Sequence, residues 1–118
     1  MANPNIANVV SILGKTAVAS LFTNTANIIT NSSGSSTLVK LESISIGNYS
    51  NTAVYANVMF TRSSVNYFLA GQLSVPSGTT LVVLAKDTTI YLEEGDVLQA
   101  NSGSNGTLSL VSSYEIIS

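Results

Sequence analysis

The sequence predicts an all-β fold: a single β-sandwich domain, jelly-roll or immunoglobulin-like, with eight or nine strands. Short apolar runs are separated by clusters of Gly, Ser, Thr and Asn at intervals of about 8–12 residues, a spacing typical of sandwiches and barrels. No apolar stripe of helical period extends beyond about one turn. Hydrophobic residues make up 45% of the chain and charged residues 8%. Because disordered chains combine low hydrophobicity with high net charge, this chain is expected to fold.

The first third of the chain predicts two β-prone runs and a loop. One apolar run covers residues 6–13, and a second covers residues 16–29 with a bend at residues 23–25. Residues 15–22 are the best candidate for a helix, but their β-branched members lower the helix propensity. Residues 31–36, with the sequence Asn-Ser-Ser-Gly-Ser-Ser, have the composition of a loop.

The next strand changes its buried face partway along. Val39 and Leu41 share one parity, and Ile44 and Ile46 share the other. A strand with a two-residue period cannot change its buried face unless an extra residue is inserted into the ladder. The sequence therefore predicts a β-bulge at Glu42-Ser43.

The remainder of the chain predicts strands joined by short turns. The predicted strands cover residues 37–46, 52–61, 65–73, 81–84, 90–92, 97–100 and 107–117. The predicted turns cover residues 47–51, 62–64, 75–78, 86–88, 93–96 and 101–106. In the turn at residues 93–96, Gly95 is free to take a positive φ.

Composition excludes several classes of function. The chain has no Cys and no His, so disulfides, thiolate zinc sites and a Ser-His-Asp triad are excluded, and we predict no enzyme activity and no cofactor. With four basic residues and a net charge of −2, the chain lacks the means to neutralise phosphates, so no nucleic-acid partner is expected. No run of 18 apolar residues is present, so no membrane span is expected.

The densest group of charged residues is the acidic turn. Glu93, Glu94 and Asp96 surround Gly95, with Asp87 nearby in the sequence. Three carboxylates could hold Ca²⁺, but the spacing does not match an EF-hand loop. We expect the turn to stay in water, with a cation site as the open alternative.

The chain is interpreted as one domain, residues 1–118, in which residues 1–14 can form an extended N-terminal arm. Such an arm can add a strand to the sheet edge of a neighbour. The candidate interface residues are Ile6, Val9, Val10 and Ile12 in the arm, with Tyr55 and Met59 on one face of a predicted strand. Tyr55 and Met59 equally fit a position beneath the second sheet.

Both ends of the chain resemble small virion proteins of tailed bacteriophages, especially of marine cyanophages. At the start, the resemblance lies in Met1-Ala2-Asn3-Pro4-Asn5-Ile6 and Gly14-Lys15-Thr16-Ala17. Towards the end it lies in residues 90–96, Ile-Tyr-Leu-Glu-Glu-Gly-Asp, and in Ser112-Ser113-Tyr114-Glu115. The resemblance implies a structural component of the particle and carries over no catalytic residue.

We therefore expect a virion structural protein that is assembled in the host cytoplasm. The leading hypothesis is a capsid decoration, or cement, protein, which forms a trimer and braces the outer shell against the major capsid protein or another virion protein. A neck, tail or fibre component is the alternative within the particle. A third hypothesis is a carbohydrate-binding sandwich that uses Tyr49 with Asn48 and Asn51.

Overall fold

The computed structural model describes residues 11–85 and 89–118. Within these ranges the chain forms nine β-strands and no helix. Their bounds are β1 Ile12–Leu21, β2 Ala26–Thr30, β3 Leu38–Asn48, β4 Val54–Arg62, β5 Val65–Val75, β6 Thr80–Leu84, β7 Ile90–Leu92, β8 Val97–Ser102 and β9 Leu108–Ile117. The all-β prediction is confirmed. The helix candidate at residues 15–22 lies almost wholly in β1.

The strands form two antiparallel sheets. The five-stranded sheet has the order β1-β9-β3-β6, and β7 also pairs with β3. The four-stranded sheet has the order β2-β8-β4-β5. Sixteen buried apolar residues drawn from both sheets form one core, as in a β-sandwich, and the choice between jelly-roll and immunoglobulin-like topology stays a prediction. These residues are Leu21, Ile29, Val39, Leu41, Ile44, Ile46, Val54, Ala56, Val58, Val75, Leu84, Leu92, Leu98, Ala100, Leu108 and Leu110.

The predicted β-bulge in β3 is confirmed. Leu41 pairs with Tyr114 of β9 and Ser43 with Ser113, so Glu42 is the extra residue. Because of this insertion Leu41 and Ile44 are both fully buried, although an odd number of residue steps separates them. The bulge thus places both apolar pairs of β3 in one core.

The turns agree closely with the sequence. The bend at residues 23–25 separates β1 from β2, which lie in different sheets. Gly95 has a φ of 89° in the acidic turn, as predicted. Ser63 and Ser64 join β4 to β5 with φ values of 53° and 64°, so two non-glycine residues take the left-handed conformation that a tight hairpin requires. The turn predicted at residues 86–88 lies outside the described residues.

Candidate functional site

Arg62, at the end of β4, binds the acidic turn between β7 and β8. Its Nε donates to Oδ1 of Asp96 at 2.9 Å, and its Nη2 donates to Oδ2 of Asp96 at 2.6 Å and to Oε2 of Glu93 at 3.1 Å. Asp96 is only 1% exposed. The hydrogen bond to Asp96 is the main reason that the pKa of the Arg62 guanidinium lies above its ordinary value, against the opposing effect of desolvation.

Glu94 joins the same turn to the loop that follows β2. Its carboxylate accepts hydrogen bonds from the backbone N–H groups of Gly34 at 2.8 Å and Ser36 at 3.2 Å. In the same loop the buried Asn31 amide donates to the carbonyl oxygens of Thr37 at 3.0 Å and Leu92 at 2.8 Å. We call Arg62, Glu93, Glu94 and Asp96 the charge cluster, and it closes one end of the sandwich.

The expectation that the acidic turn stays in water is wrong for Glu94 and Asp96, which are buried. Their carboxylate oxygens accept hydrogen bonds from the guanidinium and from backbone N–H groups, so a cation would have to displace those donors. In the described part of the chain no group of three or more His, Cys, Asp or Glu is placed to hold a metal ion. Asp87, the fourth carboxylate considered, lies outside the described residues.

Most of the described charges are therefore engaged within the chain. Eight of the ten charged residues are described, and six of these lie in the charge cluster or in the Lys40–Glu115 pair, whose nitrogen and oxygen are 4.0 Å apart. The other two are Lys15 in β1 and Glu42 at the bulge. The outer faces of the sheets therefore consist mostly of neutral residues, and the Lys40–Glu115 pair lies on the outer face of the five-stranded sheet.

The outer face of the four-stranded sheet carries a row of hydrogen-bonded amides. Asn101 of β8 donates to the Thr25 hydroxyl oxygen at 2.8 Å. Asn57 of β4 donates to Oδ1 of Asn101 at 2.8 Å and accepts from the backbone N–H of Gln72 in β5 at 2.7 Å. This row extends across the whole width of the sheet.

A second row runs alongside the first. Gln99 donates to Oδ1 of Asn27 at 2.7 Å, and the Thr61 hydroxyl lies 3.0 Å from Oε1 of Gln99 and 2.8 Å from Oδ1 of Asn66. A hydroxyl has one hydrogen, so the Thr61 hydroxyl donates to one of these two amide oxygens at a time. The amides of this face satisfy one another, which reduces their need for an external partner.

The outer face of the five-stranded sheet has a different chemistry. Val18, Val111, Ser45 and Val82 are neighbours across β1, β9, β3 and β6. The exposures of the three valines are 72%, 41% and 65% respectively. Most of their neighbours along the same face are small: Gly14, Thr16, Ser20, Gly47, Thr80, Ser109 and Ser113. Ile12 and the Lys40–Glu115 pair lie on the same face towards the start of β1, where Glu115 is opposite Gly14. We call this surface the valine face.

Three of the interface residues predicted from the sequence are described: Ile12, Tyr55 and Met59. Ile12 is exposed in β1, where it pairs with Ile117, so residues 12–14 of the predicted arm belong to the five-stranded sheet. Tyr55 and Met59 both lie on the outer face of the four-stranded sheet, but Tyr55 is 46% exposed and Met59 only 3%. The predicted residues Ile6, Val9 and Val10 lie outside the described residues.

Among the described residues, the structure places Ile12 in one sheet and Tyr55 and Met59 in the other, and sequence reasoning missed the valine face. Its three valines belong to different sequence segments, and only the pairing of β1, β9, β3 and β6 makes them neighbours. A local signal existed for Val111 alone, which alternates with the inward-facing Leu110 and Ser112.

The loop considered for sugar binding is a structural turn. The Asn48 amide nitrogen donates to the carbonyl oxygens of Thr52 at 2.9 Å and Val75 at 2.8 Å. Its Oδ1 accepts from the backbone N–H of Ser50 at 2.9 Å and from the Ser50 hydroxyl at 2.7 Å. The Tyr49 hydroxyl donates to the carbonyl oxygen of Gly106. The Asn48 amide therefore has no free donor or acceptor to offer a sugar.

The chain shows neither a membrane-spanning helix in its described part nor a match to known protein families. Among residues 11–85 and 89–118, no helix is long and apolar enough to cross a membrane. No protein-family model matches the sequence, and no curated protein matches it.

Proposed function

We propose that this chain is a non-enzymatic structural protein of a tailed-phage particle. More specifically, we propose an oligomeric capsid decoration protein that braces the outer shell by contact with the major capsid protein or another virion protein. The valine face is the observation that supports this proposal best. Apart from the Lys40–Glu115 pair near one end it is neutral, most of its side chains are small, and its apolar row is exposed to solvent.

The side chains of the valine face are suited to burial against a partner. Ser, Thr and Val lose little conformational freedom when they are fixed, whereas long side chains such as Lys or Gln lose about 1.5–2 kcal/mol each. Hydroxyl groups are also cheaper to desolvate than charges, which need a partner once buried. The amides of the opposite sheet face are already hydrogen-bonded to one another. We therefore assign contact with the particle to the valine face.

The size of the valine face fits a specific contact. Three strands of about ten residues and the five-residue β6, spaced about 4.8 Å apart, cover roughly 550 Å². Standard protein interfaces bury about 800 Å² per partner. The face can therefore supply most of one interface.

Quantitative mass spectrometry of purified particles tests the proposed role. Peptides of this chain are measured against peptides of the major capsid protein in particles of the phage that encodes it. Hundreds of copies per particle support a shell position, and about a dozen or fewer support the neck, tail or fibre alternative. Absence from the particle refutes the virion proposal.

A pair of charge substitutions tests the surface assignment. Val82→Glu places a carboxylate on the valine face, and Ser74→Glu places the same group at an exposed position on the outer face of the four-stranded sheet. We expect Val82→Glu to reduce binding to particles stripped of this protein by at least tenfold, and Ser74→Glu to bind like the wild type. Equal binding by both variants contradicts the assignment.

The response of binding to salt is a further test. Salt screens charges and has little effect on neutral contacts. We expect particle binding by the wild-type chain to change less than threefold between low and molar NaCl. A steep loss of binding with salt would show that charges carry the contact.

A further inference from the structure

We propose that β1 is an assembly edge, which pairs antiparallel with β1 of a second copy of this chain. The inference rests on the backbone of the edge strand and does not depend on the proposed virion function. It would hold for this chain in isolation, in dilute solution.

The other described edges are short or interrupted by bulges, whereas β1 is long and continuous. The ladder that joins β2 to β8 has a register shift between Asn27 and Ile29, and the ladder that joins β3 to β6 has one at Val83. The edge strand β5 is shifted twice against β4, and β7 has three residues. By contrast, β1 pairs with β9 in ten consecutive steps without a shift. Bulges and short length are common ways to block an edge, and β1 has neither.

The backbone groups of β1 that point away from β9 belong to alternate residues of the strand. Ser11 and Ser118 exchange both of their backbone hydrogen bonds, at 3.1 and 3.0 Å. Hydrogen-bonded and non-hydrogen-bonded pairs alternate along an antiparallel ladder. Because the register continues unbroken from this pair, the odd-numbered residues of β1 bond to β9. The residues whose N–H and C=O groups point away from β9 are Ile12, Gly14, Thr16, Val18 and Ser20.

These five residues are complementary to themselves under a two-fold axis. Five positions at even spacing are symmetric about the middle one, Thr16. An antiparallel pair centred there matches Ile12 with Ser20 of the second copy, Gly14 with Val18, and Thr16 with its own equivalent. All ten outward backbone groups of each strand then find partners. A shift of the register by two residues would leave some of them unpaired.

Apolar side chains at the start of β1 are exposed to solvent, and the pairing would cover them. Ile12 and Leu13 are 59% and 52% exposed although they face opposite sides of the sheet, so the start of the strand has little packing on either side. The side chain of Val18 would lie opposite Gly14, which offers room for it. A second copy would therefore cover both the backbone edge and exposed apolar side chains.

Lys15 limits the strength of the pair. It is the only charged residue in β1, and in the centred register the two Lys15 side chains are diagonal neighbours across the two-fold axis. Like charges at this spacing repel, so we expect a dimer with a dissociation constant in the micromolar range. Lys15→Thr should tighten it several-fold. Two-fold pairing alone produces a dimer, and in a trimer assembled through other surfaces it would link one trimer to the next.

A proline substitution can block pairing at the free edge of β1 while the domain stays folded. The Thr16 N–H points away from β9, so Thr16→Pro removes a donor from the free edge and leaves the β1–β9 ladder unchanged; prolines are tolerated at such edge positions. Thr16→Ala, which keeps the N–H, is the matched control. Sedimentation velocity from 1 to 500 µM should show concentration-dependent dimers for the wild type and Thr16→Ala, and monomers for Thr16→Pro. Far-UV circular dichroism verifies that all three proteins are folded.

A single introduced thiol tests the register, and it keeps the proposal falsifiable if Thr16→Pro does not fold. The chain has no Cys, so Thr16→Cys adds the only thiol. In the centred register the two Cα atoms at this position are about 5.5 Å apart, within reach of a disulfide. Ser20→Cys, on the same edge, places the two thiols about eight residues apart along the paired strands. Mild oxidation should crosslink Thr16→Cys at least tenfold faster than Ser20→Cys.

Three results would overturn the proposal. The first is a wild-type chain that stays monomeric at 500 µM. The second is a folded Thr16→Pro variant that associates as the wild type does. The third is equal crosslinking of the two cysteine variants. None of these results bears on the valine-face proposal, which is tested with Val82→Glu in β6, at the opposite edge of the sheet from β1.

Discussion

Replacement of Asp96 by Asn should destabilise the protein by about 2–4 kcal/mol, because the carboxylate is buried and carries three hydrogen bonds. It accepts from Nε and Nη2 of Arg62 and from the backbone N–H of Glu93, which is 2.7 Å away. Asn keeps one acceptor oxygen and places an NH₂ group among these donors. Loss of one partner from a buried ion pair costs about 3–5 kcal/mol. The Arg62 side chain is 42% exposed, so water can hydrate the released guanidinium, and we place the cost at or below the lower part of that range.

Glu115→Gln is the matched control for this substitution. It makes the same chemical change in the Lys40–Glu115 pair, where the nitrogen and oxygen are 4.0 Å apart and both side chains are about one-third exposed. Surface pairs of this kind contribute about 0–1 kcal/mol. We therefore expect Glu115→Gln to change the free energy of unfolding by less than about 0.5 kcal/mol.

Urea unfolding followed by far-UV circular dichroism and tyrosine fluorescence measures both variants, since the chain has no Trp. With a slope of about 1.5 kcal/mol/M, a loss of about 2–4 kcal/mol lowers the urea midpoint by roughly 1.3–2.7 M. In a double-mutant cycle with Arg62→Met, the coupling between Arg62 and Asp96 should exceed about 1 kcal/mol. Equal midpoints for Asp96→Asn and Glu115→Gln would refute the reasoning, because the acidic turn would then behave as a solvated surface turn.

Three further predictions concern the backbone and the core. Deletion of Glu42 removes the extra residue and leaves a regular ladder, so the free energy of unfolding measured in urea should stay within about 2 kcal/mol of the wild type. Deletion of Lys40 instead turns the apolar residues before it to the opposite face of β3, so this variant should not fold. Ser64→Gly removes the strain of a left-handed non-glycine residue, which is about 1–2 kcal/mol, and adds about 0.5–1 kcal/mol of chain entropy to the unfolded state. We therefore expect a higher melting temperature, and a lower one would show that Ser64 is not strained. The buried Ser112 hydroxyl has no hydrogen-bond partner, so Ser112→Ala should stabilise the protein by about 0.5–2 kcal/mol, while Ser113→Ala on the valine face should have little effect.

The features that the sequence predicted correctly are those set by local alternation and turn chemistry. The bulge at Glu42 follows from the parity of four apolar residues within eight positions, and it needs no knowledge of the partner strands. The positive φ of Gly95 and the bend at residues 23–25 are equally local. Each depends on a few consecutive residues whose conformational preferences agree with the final fold.

The charge cluster shows where local reasoning fails. Read in isolation, the turn at residues 93–96 is hydrophilic and has no reason to be buried. Its partner Arg62 lies 34 residues before Asp96 and reaches the turn only because β4 and β8 are neighbours in the four-stranded sheet. Sequence separation of this size leaves no pattern that periodicity can detect, so the burial of Asp96 could not be predicted.

The composition of each outer face also depends on strand pairing. The pairing separates the neutral polar residues of this weakly charged chain into mainly amides on one face and hydroxyls on the other. Ser, Thr and Asn account for 43 of the 118 residues, but the described strands distribute amides and hydroxyls unequally. Asn27, Asn57, Asn66, Gln99 and Asn101 all lie on the outer face of the four-stranded sheet, where most of them bond to a neighbouring strand. The described strands of the valine face contain no Asn or Gln on their outer side.

This separation has a physical consequence for assembly. An amide on the valine face would bring two donors and an acceptor that need partners when buried, whereas a Ser or Thr hydroxyl can rotate to suit whatever lies opposite. A surface of hydroxyls, glycines and valines can therefore be covered with few unsatisfied groups, and the amide rows can hold the opposite sheet together without a partner. The same composition thus provides one face that is complete on its own and one that gains from being covered. This difference supports the proposal that assembly contacts lie on the five-stranded sheet, at its outer face and at its β1 edge.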